Sequence, residues 1–131
     1  MSDLETYRSN ALTWLKSVAP KYGVAARKGL TEAQDLALGR QYQSAKFDAG
    51  YAGINWPKDF GGQGLPKTIG AACGEILNSA NMSFALCPLL TDGAIEALLT
   101  AGSDELKATY LEKLVSGQWT GTMNLTEPQA G

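Results

Sequence analysis

The hydrophobic period of this chain changes once, and that change sets what it can fold into. As far as Gly117 the apolar residues recur at helical spacing. From there Trp119, Gly121, Met123 and Leu125 alternate with Thr120, Thr122, Asn124 and Thr126, which is the period of two that marks a strand. Glu127-Pro128-Gln129-Ala130-Gly131 then reads as a turn. A strand must pair its N–H and C=O groups with a neighbour, and no second strand pattern precedes this one. The expectation is an all-α bundle of about five helices over 1–117. Residues 118–131 are then the first strand and turn of a β-domain, so the chain is expected to be a fragment of a longer protein.

The helical part divides at its caps and breakers. Ser2 and Glu5 form a capping box for a first helix carrying Leu4, Tyr7, Leu12, Leu15 and Val18, and Pro20 is expected to lie past its end. A Gly-punctuated linker, 21–30, leads to a second helix capped by Thr31 and Gln34, reaching about Ala49 and stopped by Gly50. The stretch 51–65 holds Asn55-Trp56-Pro57 and then Gly61, Gly62 and Gly64. It reads as an ordered loop pinned by buried Tyr51, Trp56 and Phe60, because its glycine spacing fits neither a dinucleotide fingerprint nor a P-loop. Pro66 suits the first position of a third helix ending near Ala80. A fourth stretch, 83–101, is nearly all apolar and is expected at the centre of the domain, with Pro88 breaking or kinking it. Ser103 caps a fifth helix with Leu106, Tyr110, Leu114 and Val115, which Gly117 ends.

Several chemistries are excluded within these residues. There is no histidine, so neither a Ser-His-Asp or Cys-His group nor a His-liganded metal can be assembled here. Cys73 and Cys87 read as small buried hydrophobes of a reducing compartment. Asp104-Glu105 opens a helix, where carboxylates favour the dipole. The net charge of −2 is spread over a mixed surface, which gives no footprint for nucleic acid or an anionic membrane. No apolar run approaches a bilayer span of ~18 residues, and the acidic start Asp3-Leu4-Glu5 is unlike a targeting peptide. A cytoplasmic location is the expectation.

The segment from Gly117 through Met123-Asn124-Leu125-Thr126-Glu127-Pro128-Gln129-Ala130-Gly131 resembles the start of the acyl-CoA dehydrogenase signature. Gly53-Ile54-Asn55-Trp56-Pro57 with the glycines after it resembles the family's Gly-rich loop. Gly102-Ser103-Asp104 and the helix that follows resemble the element leading into the signature. The resemblance implies an N-terminal helical domain, a middle β-domain and a C-terminal four-helix domain, usually as tetramers. It also implies α,β-dehydrogenation of an acyl-CoA thioester, with FAD accepting the hydride and an electron-transferring flavoprotein reoxidising it.

Carried over by position, Met123, Leu125, Thr126 and Gly131 are the flavin-binding residues, with the Thr126 hydroxyl near the reactive edge of the ring. Ala85, Leu89, Leu90 and Gly93 are the acyl-chain wall, although ordinary helical core explains them equally. Glu127 is not assigned to catalysis, since the family's base lies in the C-terminal domain; no catalytic residue is expected in 1–131, and the fragment should be inactive alone. The alternatives are a related acyl-CoA oxidase or flavin hydroxylase, and a non-enzymatic helical interaction module. The pair Thr91-Asp92, polar amid apolar neighbours, fits neither the wall nor the core reading.

Overall fold

The computed structural model describes residues 3–124, 128 and 129. Among them seven helices succeed one another: α1 (Asp3–Tyr22), α2 (Val24–Arg27), α3 (Glu32–Asp48), α4 (Lys67–Ala80), α5 (Met82–Leu86), α6 (Leu89–Ala101) and α7 (Asp104–Val115). One 3-10 turn spans Lys58–Phe60, and no strand forms among the described residues. The fold is all-α. Seven helices replace the expected five for two local reasons. Pro88 divides 83–101 into α5 and α6, because a proline ring meets the carbonyl of the preceding turn. In the 21–30 linker a single turn, α2, is held by Arg27. Its guanidinium donates to both carboxylate oxygens of Asp35 at 2.6 and 2.7 Å and lies 4.2 Å from the Phe84 ring centroid.

Helix α1 continues through Pro20 to Tyr22, against the expectation that it ends before the proline. The missing N–H falls in the last turn, where its loss is small, and Gly23 N–H still reaches the Ala19 carbonyl at 2.8 Å. Burial decides the matter. The Tyr22 ring packs edge-on against Tyr42, with centroids 5.5 Å apart, and Tyr42 lies 4.9 Å from Phe84. The buried stripe of α1 runs through Ala11 and Tyr22, while Leu4 and Leu12 stay exposed. In α7 the stripe is Leu111, Leu114 and Val115; Leu106 and Tyr110 face outward.

Three apolar clusters make the interior. Ala11, Cys73 and Ile76 join α1 to α4, with Ile54 inserted from the loop. Tyr22, Tyr42 and Phe84 form the second, and Ile95, Leu111, Leu114 and Val115 join α6 to α7. The buried loop residue is Ile54, whereas Tyr51, Trp56 and Phe60 are only half-buried. A loop this rich in glycine holds its shape by backbone pairing. Gly53 C=O accepts from Trp56 and Gln63 N–H, Trp56 C=O accepts from Gly64 N–H, and Leu65 N–H donates to Ile54 C=O at 2.9 Å. The Asn55 amide donates to the Leu65 and Pro66 carbonyls, closing the loop onto the start of α4.

The stretch Met82–Ala101 is long and apolar enough to cross a membrane by length and composition alone, contrary to the expectation that no apolar run approaches that length. The chain breaks it between α5 and α6, and Asp92 and Glu96 lie within it. It is not the buried centre of the domain. Met82, Leu86, Leu89 and Leu90 are exposed, and only Phe84, Thr91 and Ile95 are buried. Cys87 is likewise exposed, where a buried thiol was expected.

Two glycines make opposite predictions. Gly53 sits at φ +62°, and a Cβ there would approach the Val115 side chain to 2.8 Å. Gly53→Ala should therefore lower the unfolding free energy by ~1–3 kcal/mol. Gly93 lies within α6, and open space surrounds the position that a methyl group there would take, so Gly93→Ala should raise it by ~0.5–1 kcal/mol. Urea unfolding followed by circular dichroism measures both, and midpoints moving in the same direction would refute this account of the loop.

Candidate functional site

Helix α3, the 51–56 part of the loop, and the corner between α5 and α6 surround a cavity of ≈ 310 Å³. Helix α4 contributes Cys73 and Leu77, and the end of α7 contributes Leu114 and Val115. Lys46 of α3 borders it with only 5% of its surface exposed. Tyr42 and Lys46, four apart, share the inward face of α3, which carries the ammonium inside. Burial lowers its pKa below the ordinary lysine value, opposed at longer range by Asp92 and, more weakly, by Cys73 and Cys87. Among the described residues its ammonium makes no hydrogen bond or ion pair.

Asp92 lies on the rim of the same cavity. Its carboxylate accepts a hydrogen bond from the Trp56 indole N–H at 3.2 Å. Partial desolvation raises its pKa, while the Trp56 bond and the Lys46 charge oppose the rise. The Cys73 thiol is pushed up by burial as well, which keeps it protonated and inert.

Thr91 is 4% exposed, and its hydroxyl oxygen accepts the backbone N–H of Gly121 at 3.0 Å. That bond seats the chain after α7 on α6. A side chain at 121 would come within 2.8 Å of the Ala94 methyl and 3.2 Å of the Leu90 carbonyl, so only glycine allows the approach. Trp119 packs on Tyr110 at 5.7 Å between centroids, under the Lys113 ammonium at 4.2 Å. The segment expected to begin a β-domain is therefore anchored on the helices at Trp119 and Gly121.

The family model for the acyl-CoA dehydrogenase N-terminal domain matches residues 16–118. The chain belongs to that family. It is 63% identical over 84 residues to the 3-methylmercaptopropionyl-CoA dehydrogenase of Ruegeria pomeroyi, a match covering 64% of this chain and 14% of the relative. A butyryl-CoA dehydrogenase of Syntrophomonas wolfei is 44% identical over 67 residues, covering 51% of this chain and 11% of the relative. The (2S)-methylsuccinyl-CoA dehydrogenase of Cereibacter sphaeroides is 31% identical over 98 residues, covering 75% and 18%. The chain thus spans less than a fifth of the length of these curated relatives.

In this acyl-CoA dehydrogenase domain the positions singled out from sequence separate. Ala85 and Leu89 border the cavity, Leu89 with much of its side chain exposed. Leu90 and Gly93 are exposed and lie outside its lining. Met123 is exposed on the extended segment, while Leu125, Thr126 and Gly131 lie outside the described residues. Sequence reasoning missed Lys46 and the Thr91–Gly121 contact. The signals were present: a lysine one helical turn beyond an inward tyrosine, and a threonine whose neighbours are mostly apolar.

Lys46 supplies a pH test. Its folded pKa lies below its unfolded value, so between the lowered value and 10.5 the unfolded chain binds more protons and stability from this group rises with pH. Lys46→Met should accordingly match or exceed the parent at pH 7, by up to ~1–4 kcal/mol, the scale for replacing buried charge with apolar groups of similar volume. The difference should shrink toward pH 10.5. Tyr7 and Tyr42, both pushed up to about 12 chiefly by burial, act in both proteins and cancel. Thermal unfolding across roughly pH 6–10 measures this, and a variant less stable at neutral pH would mean that the ammonium is already compensated.

Proposed function

We propose that this domain is the N-terminal part of an FAD-dependent acyl-CoA dehydrogenase, which removes hydrogens from Cα and Cβ of an acyl-CoA thioester. One observation carries the reading beyond family membership. The start of the signature segment is hydrogen-bonded through Gly121 to Thr91 of α6, the helix whose first turn borders the cavity through Leu89. A cofactor held by the segment and an acyl chain held by the α5–α6 corner are then positioned by one rigid element. Such positioning is where much of the rate of a two-reactant step comes from.

The described part of the segment suits a planar ring. Thr122, Met123 and Asn124 are exposed, and their backbone groups form no hydrogen bond among the described residues. Met123 offers an apolar, polarisable side chain, and the Leu125 and Thr126 backbone and the Thr126 hydroxyl would complete the contact, with Gly131 letting the chain turn past it. When bound, FAD supplies the hydride-accepting chemistry. The role of Thr126 is to donate a hydrogen bond toward charge that grows as hydride arrives. Ala85 and Leu89, with Leu90 and Gly93 beside them, supply apolar surface for the chain, worth about 0.8 kcal/mol per buried CH₂. The base, an electron-transferring flavoprotein and a tetramer belong to the whole enzyme, and on this reading 1–131 alone is inactive and works in the cytoplasm.

In the full-length protein Thr126→Ala should slow reduction of bound flavin by thioester on the order of 10²-fold, with thioester affinity nearly unchanged. Stopped-flow absorbance separates the two. Unaltered reduction with weakened thioester binding would remove Thr126 from this role, and absence of reduction by every acyl-CoA in the parent protein would defeat the reading itself.

A further inference from the structure

Neither the family reading nor the packing makes use of Lys46. It is almost wholly buried, borders a cavity, and has no partner among the described residues. A charge placed there loses hydration that nothing on the protein returns. The titratable groups facing it are few. Helix α4 offers the Cys73 thiol, held neutral; the α5–α6 corner offers Cys87; α6 offers Asp92. Asp92, itself partly desolvated, is occupied by the Trp56 indole and forms no ion pair with Lys46, so the ammonium keeps its donors free for a ligand. Lys46 is the one cationic side chain among the described residues of the lining. Around it the lining is mixed: Ile54, Ala85, Leu89 and Ile95 give apolar surface, and Gln43, Tyr51 and Asn78 add polar groups.

We propose that this cavity is a subsite for a short aliphatic carboxylate. The hydrocarbon lies against Ala85 and Leu89, and the carboxylate accepts hydrogen bonds from the Lys46 ammonium. A charge-assisted contact of this kind is stronger than a neutral one and supplies the missing counter-charge. The inference deepens the acyl-CoA reading and rests on it for one source of the group, the far end of an acyl chain carrying a second carboxylate. The other source is a free carboxylic acid.

Butyrate is the probe, with butyramide as its uncharged counterpart. Titrated into the chain carrying ¹³C at lysine Cε, butyrate should shift one lysine resonance saturably, with a dissociation constant of ~1–10 mM, and raise that lysine's pKa. Butyramide should bind at least ~10-fold more weakly, a difference of ~1.4 kcal/mol. Lys46→Met should abolish the butyrate effect, and Lys46→Gln, which keeps a donor without the charge, should weaken it. Lack of a saturable shift, or equal butyrate binding by Lys46→Met, would overturn the proposal. This arm involves no thioester, so it stands or falls apart from the acyl-CoA reading. In the full-length protein, a preference for glutaryl-CoA over butyryl-CoA that reverses in Lys46→Met supports the subsite with the acyl tail as its source. A preference for butyryl-CoA with butyrate binding intact supports it with a free acid as the source.

Discussion

Backbone groups that 51–65 carries inward must be paired there, because water does not reach them. The loop meets that constraint with its own carbonyls and the Asn55 amide, leaving its side chains free to work on both sides. Ile54 enters the cluster between α1 and α4, while Trp56 and Phe60 pack on the cluster between α6 and α7. Two helical layers that touch little directly are thereby held at a fixed distance. The Tyr7 hydroxyl and the Gln63 amide both donate to the Gly50 carbonyl, which fastens the end of α3 to the same loop. The cavity beside Lys46 is the space this bracing leaves open.

Helix α6 then serves two surfaces at once. One turn gives Thr91 to the chain after α7 and Asp92 to the Trp56 indole, so the polar pair that neither apolar reading explains is the joint between the loop, the helix and the signature segment. Its exposed leucines are no error of packing. Exposed Leu86 and Leu89, which border the cavity, form the kind of surface that a ligand tail or an adjoining domain covers.

Lys46 shows how a single charge changes what such a cavity accepts. An all-apolar pocket of the same size would take an aliphatic chain of any ending, since burial energy is non-directional. A largely desolvated ammonium on one wall makes the ending matter, because its cost falls when an acceptor arrives. Selectivity of this type lies in one residue of α3, far along the chain from the residues that suggested an acyl wall.

Local chemistry was legible in the sequence wherever the interactions are local. The Thr31–Gln34 capping box, the Ser103 cap, the left-handed stops at Gly50 and Gly117, and the break at Pro88 depend on residues within a few positions of one another. The family motifs were equally readable, being contiguous strings. Tertiary structure decided what depends on the rest of the chain. Tyr22 holds α1 through Pro20 because aromatic burial against Tyr42 and Phe84 outweighs one lost hydrogen bond. The apolar run 83–101 lies at the surface because hydrophobicity states what burial would be worth and not which face a neighbour covers. Lys46 faces inward because Tyr42, one turn earlier, is needed in the core, and a helix cannot bury one without the other.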